Sequence, residues 1–185
     1  DKTGWQQALG VGLAQSLALL PGVPRSGSTI TAGLLCGFER EFAPRFAFLL
    51  SIQVILGGAL IADTTHSWQV LETSHPPTYY LPRSAFAEGS LRPVPGTSWC
   101  EWKGTARYLD LHGGGRTASK AGWYYPKPSP GFEVLADHVA LYAGLMDACY
   151  VGGELVVPQP GGFDGGWVTS NLTGPFKGVP GSSGW

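Results

Sequence analysis

Charge is scarce in this sequence: 14% of its 185 residues are Asp, Glu, Lys or Arg, against roughly 25% in an average soluble domain. The formal charge of −1 leaves no net field to draw the chain to nucleic acid or to an anionic membrane. Cysteine is rare too. Cys36, Cys100 and Cys149 form no C-x-x-C pair, which excludes a disulfide scaffold and the usual zinc knuckles. His66, His75, His112 and His138 show neither H-x-H nor H-x-x-x-H spacing, so no metal site is expected. Methionine occurs once, at Met146, and the chain opens at Asp1, which predicts a reading frame that begins upstream. A basic start, apolar run and cleavage site never occur in that order, so no leader is expected. Abundant instead are Gly (28) and Pro (15), without a collagen-like period, and an apolar fraction of 43%. That fraction can build a core.

The composition breaks near Ala62. Residues 1–62 hold seven formal charges and one of the seven tryptophans, whereas the remainder holds 18 charges and 12 of the 15 prolines. Two units are therefore expected, 1–60 and 61–185. In the first, Ala8 to Leu20 is a 13-residue apolar run closed by Pro21 and Gly22, short enough for a buried or re-entrant helix. Helix resumes from Thr29 to Phe38. Phe46 to Ala62 adds 17 residues without a formal charge, at the lower limit for a bilayer span. Ser51, Gln53 and the Gly57-Gly58 pair suit it better to packing on other helices; Gly57 to Ala62 fits equally as the entry to a first strand, so either the helix stops near Leu56 or that strand is lost.

Between the helices lies Pro21-Gly22-Val23-Pro24-Arg25-Ser26-Gly27-Ser28-Thr29. One fixed cation stands among small hydroxyls and glycines, ahead of a helix N-terminus. Arg25 can grip two phosphate oxygens, and Ser26, Ser28 and Thr29 supply further donors. The plainer alternative is an arginine at a membrane boundary with ordinary turn residues. The run from Gly12 to Leu60 resembles the C-terminal half of undecaprenyl-diphosphate phosphatase, a bacterial membrane enzyme that recycles the lipid carrier of cell-wall synthesis. Its signature is P-G-x-S-R-S-G-x-T. The resemblance covers about residues 5 to 60 and implies diphosphate-binding positions at Arg25, Ser26 and Thr29, with a divalent cation in a complete phosphatase. It also implies a membrane lipid as partner of residues 5–62. Two departures stand against activity. Pro24 replaces the first signature serine, removing a hydroxyl and a backbone donor, and the acidic E/Q-x-x-x-E signature has no counterpart before residue 5. The segment alone is expected to be inactive.

The second unit reads as α+β, mostly β, from its period-two runs and Gly/Pro punctuation. LIADT and WQVLETS suggest a hairpin, and Cys100 to Leu111 a strand that returns through Gly113-Gly114-Gly115 to Tyr125. Phe132 to Tyr142 carries apolar residues at helical spacing and suggests one short helix. Ala148 to Val157 around Gly152-Gly153 suggests a hairpin with a primed turn. The runs HPPTYYLP, CEWKGTARY, GWYYPKPSP, HVALYAGLMDACYVGGE and PQPGGFDGGW resemble, in order, the domain-of-unknown-function family numbered 427. That resemblance implies a β-tent architecture and no particular reaction. Asp164 departs from it, since relatives commonly carry tyrosine there.

Alternation along Cys100–Gly104 predicts Glu101 and Lys103 on one strand face, about 7 Å apart, and Cys100 and Trp102 on the other. The charged pair can meet a polar ligand; the plainer alternative is an exposed ion pair contributing roughly 0–1 kcal/mol. Trp102, Trp123 and Trp167 either line an aromatic pocket or build the core. Trp102 is expected in the core, with Tyr125 at the ligand site and Trp167 closing it. Cys100 and Cys149 are read as reduced thiols; Cys100 as a nucleophile would need His75 or His138 as its base. The expectation is a small-ligand-binding β domain, with no cofactor and no nucleic acid partner, joined to a membrane-associated phosphatase segment. The β domain is expected on the cytoplasmic side. The alternative is an undecaprenyl-diphosphatase active once its missing half is supplied.

Overall fold

The computed structural model describes residues 51–161 and 165–178. The chain divides into two compact units, Asp1–Leu50 and Ser51–Trp185. The loop with Arg25, Ser26, Ser28 and Thr29 and the helices expected beside it lie outside the described residues.

The described chain is mostly β. A four-stranded sheet has the order β10-β9-β1-β2, from β1 (Ile52–Leu56), β2 (Ala59–Thr64), β9 (Ala148–Val151) and β10 (Glu154–Leu155). A six-stranded sheet has the order β3-β4-β8-β7-β6-β5. Its strands are β3 (Trp68–Val70), β4 (Thr78–Pro82), β5 (Leu91–Cys100), β6 (Gly104–Gly113), β7 (Arg116–Tyr124) and β8 (His138–Leu141). A third pair joins β11 (Val157–Pro158) to β12 (Trp167–Val168). Neighbouring strands in the larger sheets run antiparallel.

The first strand corrects the reading of Phe46 to Ala62 as one apolar helix. Its residues 52–62 are strand and turn because Ile52, Val54 and Leu56 are buried while Gln53 and Ile55 between them are only partly covered. That is period two, not 3.6. Gly57 and Gly58 take φ of 61° and 75°, the left-handed pair of a primed two-residue turn. A Cβ on Gly57 would stand 2.3 Å from the Gly113 carbonyl oxygen, so this turn packs backbone to backbone on the β6–β7 turn. Asp147 accepts the Gly58 N–H at 2.8 Å and also holds Arg116. A boundary at residue 60 would therefore cut the β1–β2 hairpin. Among the described residues no helix is long and apolar enough to cross a membrane.

Three other expectations change. LIADT pairs with β1, and WQV pairs with β4, so the two do not form a hairpin together. The short helix over Phe132 to Tyr142 is instead a 3-10 turn at Glu133–Leu135 followed by β8. Val139, Ala140 and Leu141 are all fully covered; a strand buried on both faces reads as a continuous apolar run, which helical spacing can imitate. The third change concerns Cys100–Lys103. Cys100 ends β5, and residues 101–103 are the turn into β6. The hairpin around Gly152-Gly153 is present, with Glu154 opposite Val151.

One core cluster fills the space between the sheets, with Val54, Leu56, Leu81, Leu109, Leu111 and Trp167 among its best-buried members. A second lies on the opposite face of the six-stranded sheet and is aromatic: Tyr80, Trp123 and Tyr125 with Ala106, Leu135 and Ala140. Successive residues of β4, Tyr79 and Tyr80, go to different clusters, as the pleat requires.

Candidate functional site

A cleft of about 630 Å³ opens on that aromatic face. Its aromatic lining comes from Trp123 of β7, Tyr125 just beyond it, Tyr142 after β8 and Tyr108 of β6. The Trp123 and Tyr142 rings stand 4.6 Å apart, and Tyr80 meets Trp123 edge-on at 6.5 Å. The end of β5 contributes Trp99 and the turn into β6 contributes Trp102, which are 73% and 66% exposed. Apolar rings of that size at the mouth of a cleft offer stacking surface that the fold does not use for itself.

Lys103 sits in the same wall but is only 7% exposed. Its ammonium pairs with Glu72, whose carboxylate is partly open to solvent. The Lys103 carbonyl accepts the Ser129 N–H at 3.2 Å, tying the turn to the segment after β7. A lysine taken out of water needs such a partner. Behind the pair, burial raises the Tyr125 hydroxyl well above its usual range, and the nearby Tyr80 hydroxyl, Cys100 thiol and Glu72 carboxylate push it the same way. Burial also raises Tyr80, partly offset by hydrogen bonds from Trp123 and Tyr125. Both phenols are therefore neutral donors at ordinary pH. Glu101, His75 and Lys177 also line the cleft. His75 donates from Nδ1 to the Thr73 carbonyl at 2.9 Å.

Glu101, Lys103 and Tyr125 thus come together at one cleft, although not as neighbours on one strand face. The turn geometry separates exposed Glu101 from buried Lys103. Trp102 is not a core residue: it stands on the turn, outside the alternation that would have turned it inward. Trp167 does not close the cleft. It is fully buried between the sheets and donates from Nε1 to the Leu141 carbonyl at 3.2 Å. Its neighbour Gly165 meets the cleft instead. A Cβ there would fall 2.1 Å from Trp123 Cη2, so only glycine lets that loop lie against the ring. Cys100 and His75 share the cleft, whereas His138 bonds the Ala136 carbonyl through Nδ1. Cys149 is buried in the other sheet, its thiol pushed up to about 12 by burial. Among the described residues no group of three His, Cys, Asp or Glu could hold a metal ion.

Sequence reasoning missed Glu72, Trp99, Tyr142 and Lys177. Glu72 reaches Lys103 across 31 positions, and no local pattern announces such a pair. An exposed tryptophan near a turn was the available signal for Trp99.

Comparison with known proteins finds two families that overlap on this chain. The family described as Domain of unknown function (DUF427) matches residues 49–152, and Bacitracin resistance protein BacA matches residues 1–88. Undecaprenyl-diphosphatase of Methanothermobacter thermautotrophicus is 59% identical over 61 residues, 33% of this chain and 34% of the relative. The protein of the same name from Chlorobium chlorochromatii is 52% identical over 69 residues, 36% of this chain and 24% of the relative. The chain thus spans about a third or less of the length of these relatives. Over the residues that both families match, 49–88, the described part forms strands β1 to β4.

Proposed function

The chain belongs to the DUF427 family, joined to an undecaprenyl-diphosphatase-like segment, and from that premise we propose that its β unit binds a small planar molecule in the aromatic cleft. The observation that carries this is the juxtaposition of exposed Trp99 and Trp102 with Trp123 and the Lys103–Glu72 pair around one cavity of about 630 Å³. Ligand sites are typically of that size, mostly apolar with a few convergent polar groups. The two-sheet arrangement supports reading the unit as a β-tent. Calorimetric titration of the full chain in detergent with 2-naphthalenemethanol, a neutral planar probe, tests the site. Saturable binding weakened at least tenfold by Trp99→Ala with Trp102→Ala is the expected result. Binding indifferent to both substitutions would overturn it.

For the N-terminal segment the reading is a membrane-associated piece that does not hydrolyse undecaprenyl diphosphate by itself. Arg25, Ser26, Ser28 and Thr29 offer charge neutralisation, but Pro24 stands where the resembled signature has a serine, and phosphoryl transfer needs an aligned nucleophile as well. Activity supplied by a complementing half, with a divalent cation, is the alternative that the 59% identity favours. Phosphate release by the purified chain, abolished by Arg25→Ala, would overturn the inactive reading.

A further inference from the structure

We propose that the aromatic cleft continues into an oxyanion subsite headed by Lys120, so that the ligand class is a planar aromatic molecule bearing a carboxylate or phosphate. This deepens, and rests on, the reading of the cleft as a ligand site. A second cavity of about 550 Å³ shares Tyr108, Tyr142 and Gly165 with the first and adds Lys120, Pro158 and Gln159. The two are adjoining compartments with a common wall.

Lys120 is held where a side-chain-bearing residue is disfavoured. Its φ is 48° in the middle of β7, a left-handed conformation that glycine or asparagine takes more readily. Two irregularities in adjoining strand pairs create the position. The β6–β7 register shifts between Leu109 and Leu111, and Asp110 Oδ1 accepts the Lys120 N–H at 2.7 Å. The β5–β6 register shifts between Val94 and Thr97, around Gly96 at φ 119°. Bulges of this kind re-aim side chains. Here Lys120 Nζ comes within 3.6 Å of the point a Cβ on Gly96 would occupy, beside the Tyr108 ring at 3.7 Å. The lysine therefore reaches across β6 to the bulge in β5.

The contrast with Lys103 decides what Lys120 is for. Lys103 is buried and neutralised by Glu72, whereas no ion pair among the described residues involves Lys120. The polar groups around it are mostly committed elsewhere. The Tyr108 hydroxyl donates to Ser98 Oγ at 2.9 Å, and the Gln159 amide bonds the Gly166 N–H and the Lys177 carbonyl. An exposed ammonium with no ion pair among the described residues, the nearby Asp110 carboxylate being taken up by the Lys120 backbone N–H, stands at a cavity that continues an aromatic cleft and matches an anionic group tethered to a planar ring. Backbone strain of this kind clusters at ligand clamps and active sites.

The test titrates the full chain in detergent with 2-naphthoate and, in parallel, with 2-naphthalenemethanol. A charge-assisted contact should favour the naphthoate by about tenfold. Lys120→Met should abolish that preference and leave the alcohol's affinity unchanged. Lys120→Gly should also abolish it while raising the thermal midpoint by a few degrees, since glycine relieves the left-handed backbone. Equal affinity of both probes for the unsubstituted chain, or a preference that survives either substitution, would overturn the subsite alone. If neither probe binds, the cleft reading fails and the subsite fails with it.

Discussion

The two faces of the six-stranded sheet are built from the same strands and differ in almost every chemical respect. The face toward the four-stranded sheet carries Leu81, Leu109, Leu111, Val139 and Leu141, all fully covered. The other carries Tyr80, Trp123 and Tyr125 beneath a cleft rimmed by exposed Trp99 and Trp102. Alternation in β4, β6 and β8 sends one residue to each face in turn, so a single strand specifies fold and site together. The lesson is that tryptophan here has two opposite uses: Trp167 closes the core, and Trp102 waits at the cleft.

The largest effect is expected on the inner face. Trp167→Ala should cost about 3–5 kcal/mol, the usual range for removing a buried aromatic side chain, and it also strands the Leu141 carbonyl that Nε1 now satisfies. Denaturant unfolding of the full chain, followed at the midpoint, measures this. A loss under about 1 kcal/mol would mean that the two faces are less different than their burial implies.

Next in size is the Lys103–Glu72 pair, where the two partners should behave unequally. Glu72→Gln leaves a buried ammonium without its carboxylate, at a cost of about 3 kcal/mol, the low end for breaking a buried pair because Glu72 is itself partly exposed. Lys103→Met leaves only a partly exposed Glu72, which water can solvate, and should cost less than about 1 kcal/mol. Equal losses would show that the lysine is not effectively buried.

These asymmetries mark how much was legible beforehand. The mostly-β character, the Gly152-Gly153 hairpin and the β6–β7 return were readable, because turn glycines and period-two runs are local signals. At Gly57-Gly58 the signal was divided: the long uncharged run before it suggested a helix, while Gly57 to Ala62 also fitted the entry to a strand. Glu101, Lys103 and Tyr125 were readable as a cluster by family likeness. Their geometry was not, since the switch from strand to turn after Cys100 reverses which side chains face inward. Glu72 and Lys120 depend on a pairing 31 residues distant and on strand bulges, neither of which has a short-range sequence mark.

A smaller effect comes from the ionisation of buried groups, which is suppressed on both faces. Burial pushes the Cys149 thiol from 9.0 to about 12 and, with Glu154 adding, the Tyr79 hydroxyl from 10.0 to about 12. An acid whose folded value is raised favours the native state only while it stays protonated. The unfolded chain begins to ionise these groups near pH 9 to 10, while the folded chain resists until about 12. Stability should therefore hold below pH 9 and decline as pH rises toward 12. Unfolding midpoints measured across that alkaline window check it; a flat profile contradicts it. Peptide-level mapping of iodoacetamide labelling at neutral pH should find Cys100 modified and Cys149 protected until unfolding.

The smallest effect on stability is expected at Trp102, and it is the sharpest test of the comparison. Alternation along Cys100–Gly104 made Trp102 a core residue, for which alanine would cost about 3–5 kcal/mol. On the turn it is 66% exposed, so little apolar area returns to water when the ring is removed. Trp102→Ala should therefore change stability by no more than about 0.5 kcal/mol. The same substitution should weaken 2-naphthalenemethanol binding, because stacking surface at the mouth of the cleft is lost while the Lys103–Glu72 pair stays in place. Trp167→Ala should show the reverse, a large loss of stability, with any effect on binding following only from unfolding. Measuring both quantities on both variants separates the two uses of tryptophan. If Trp102→Ala destabilises the chain as strongly as Trp167→Ala, the ring packs where the cleft is drawn, and the aromatic face is core rather than site.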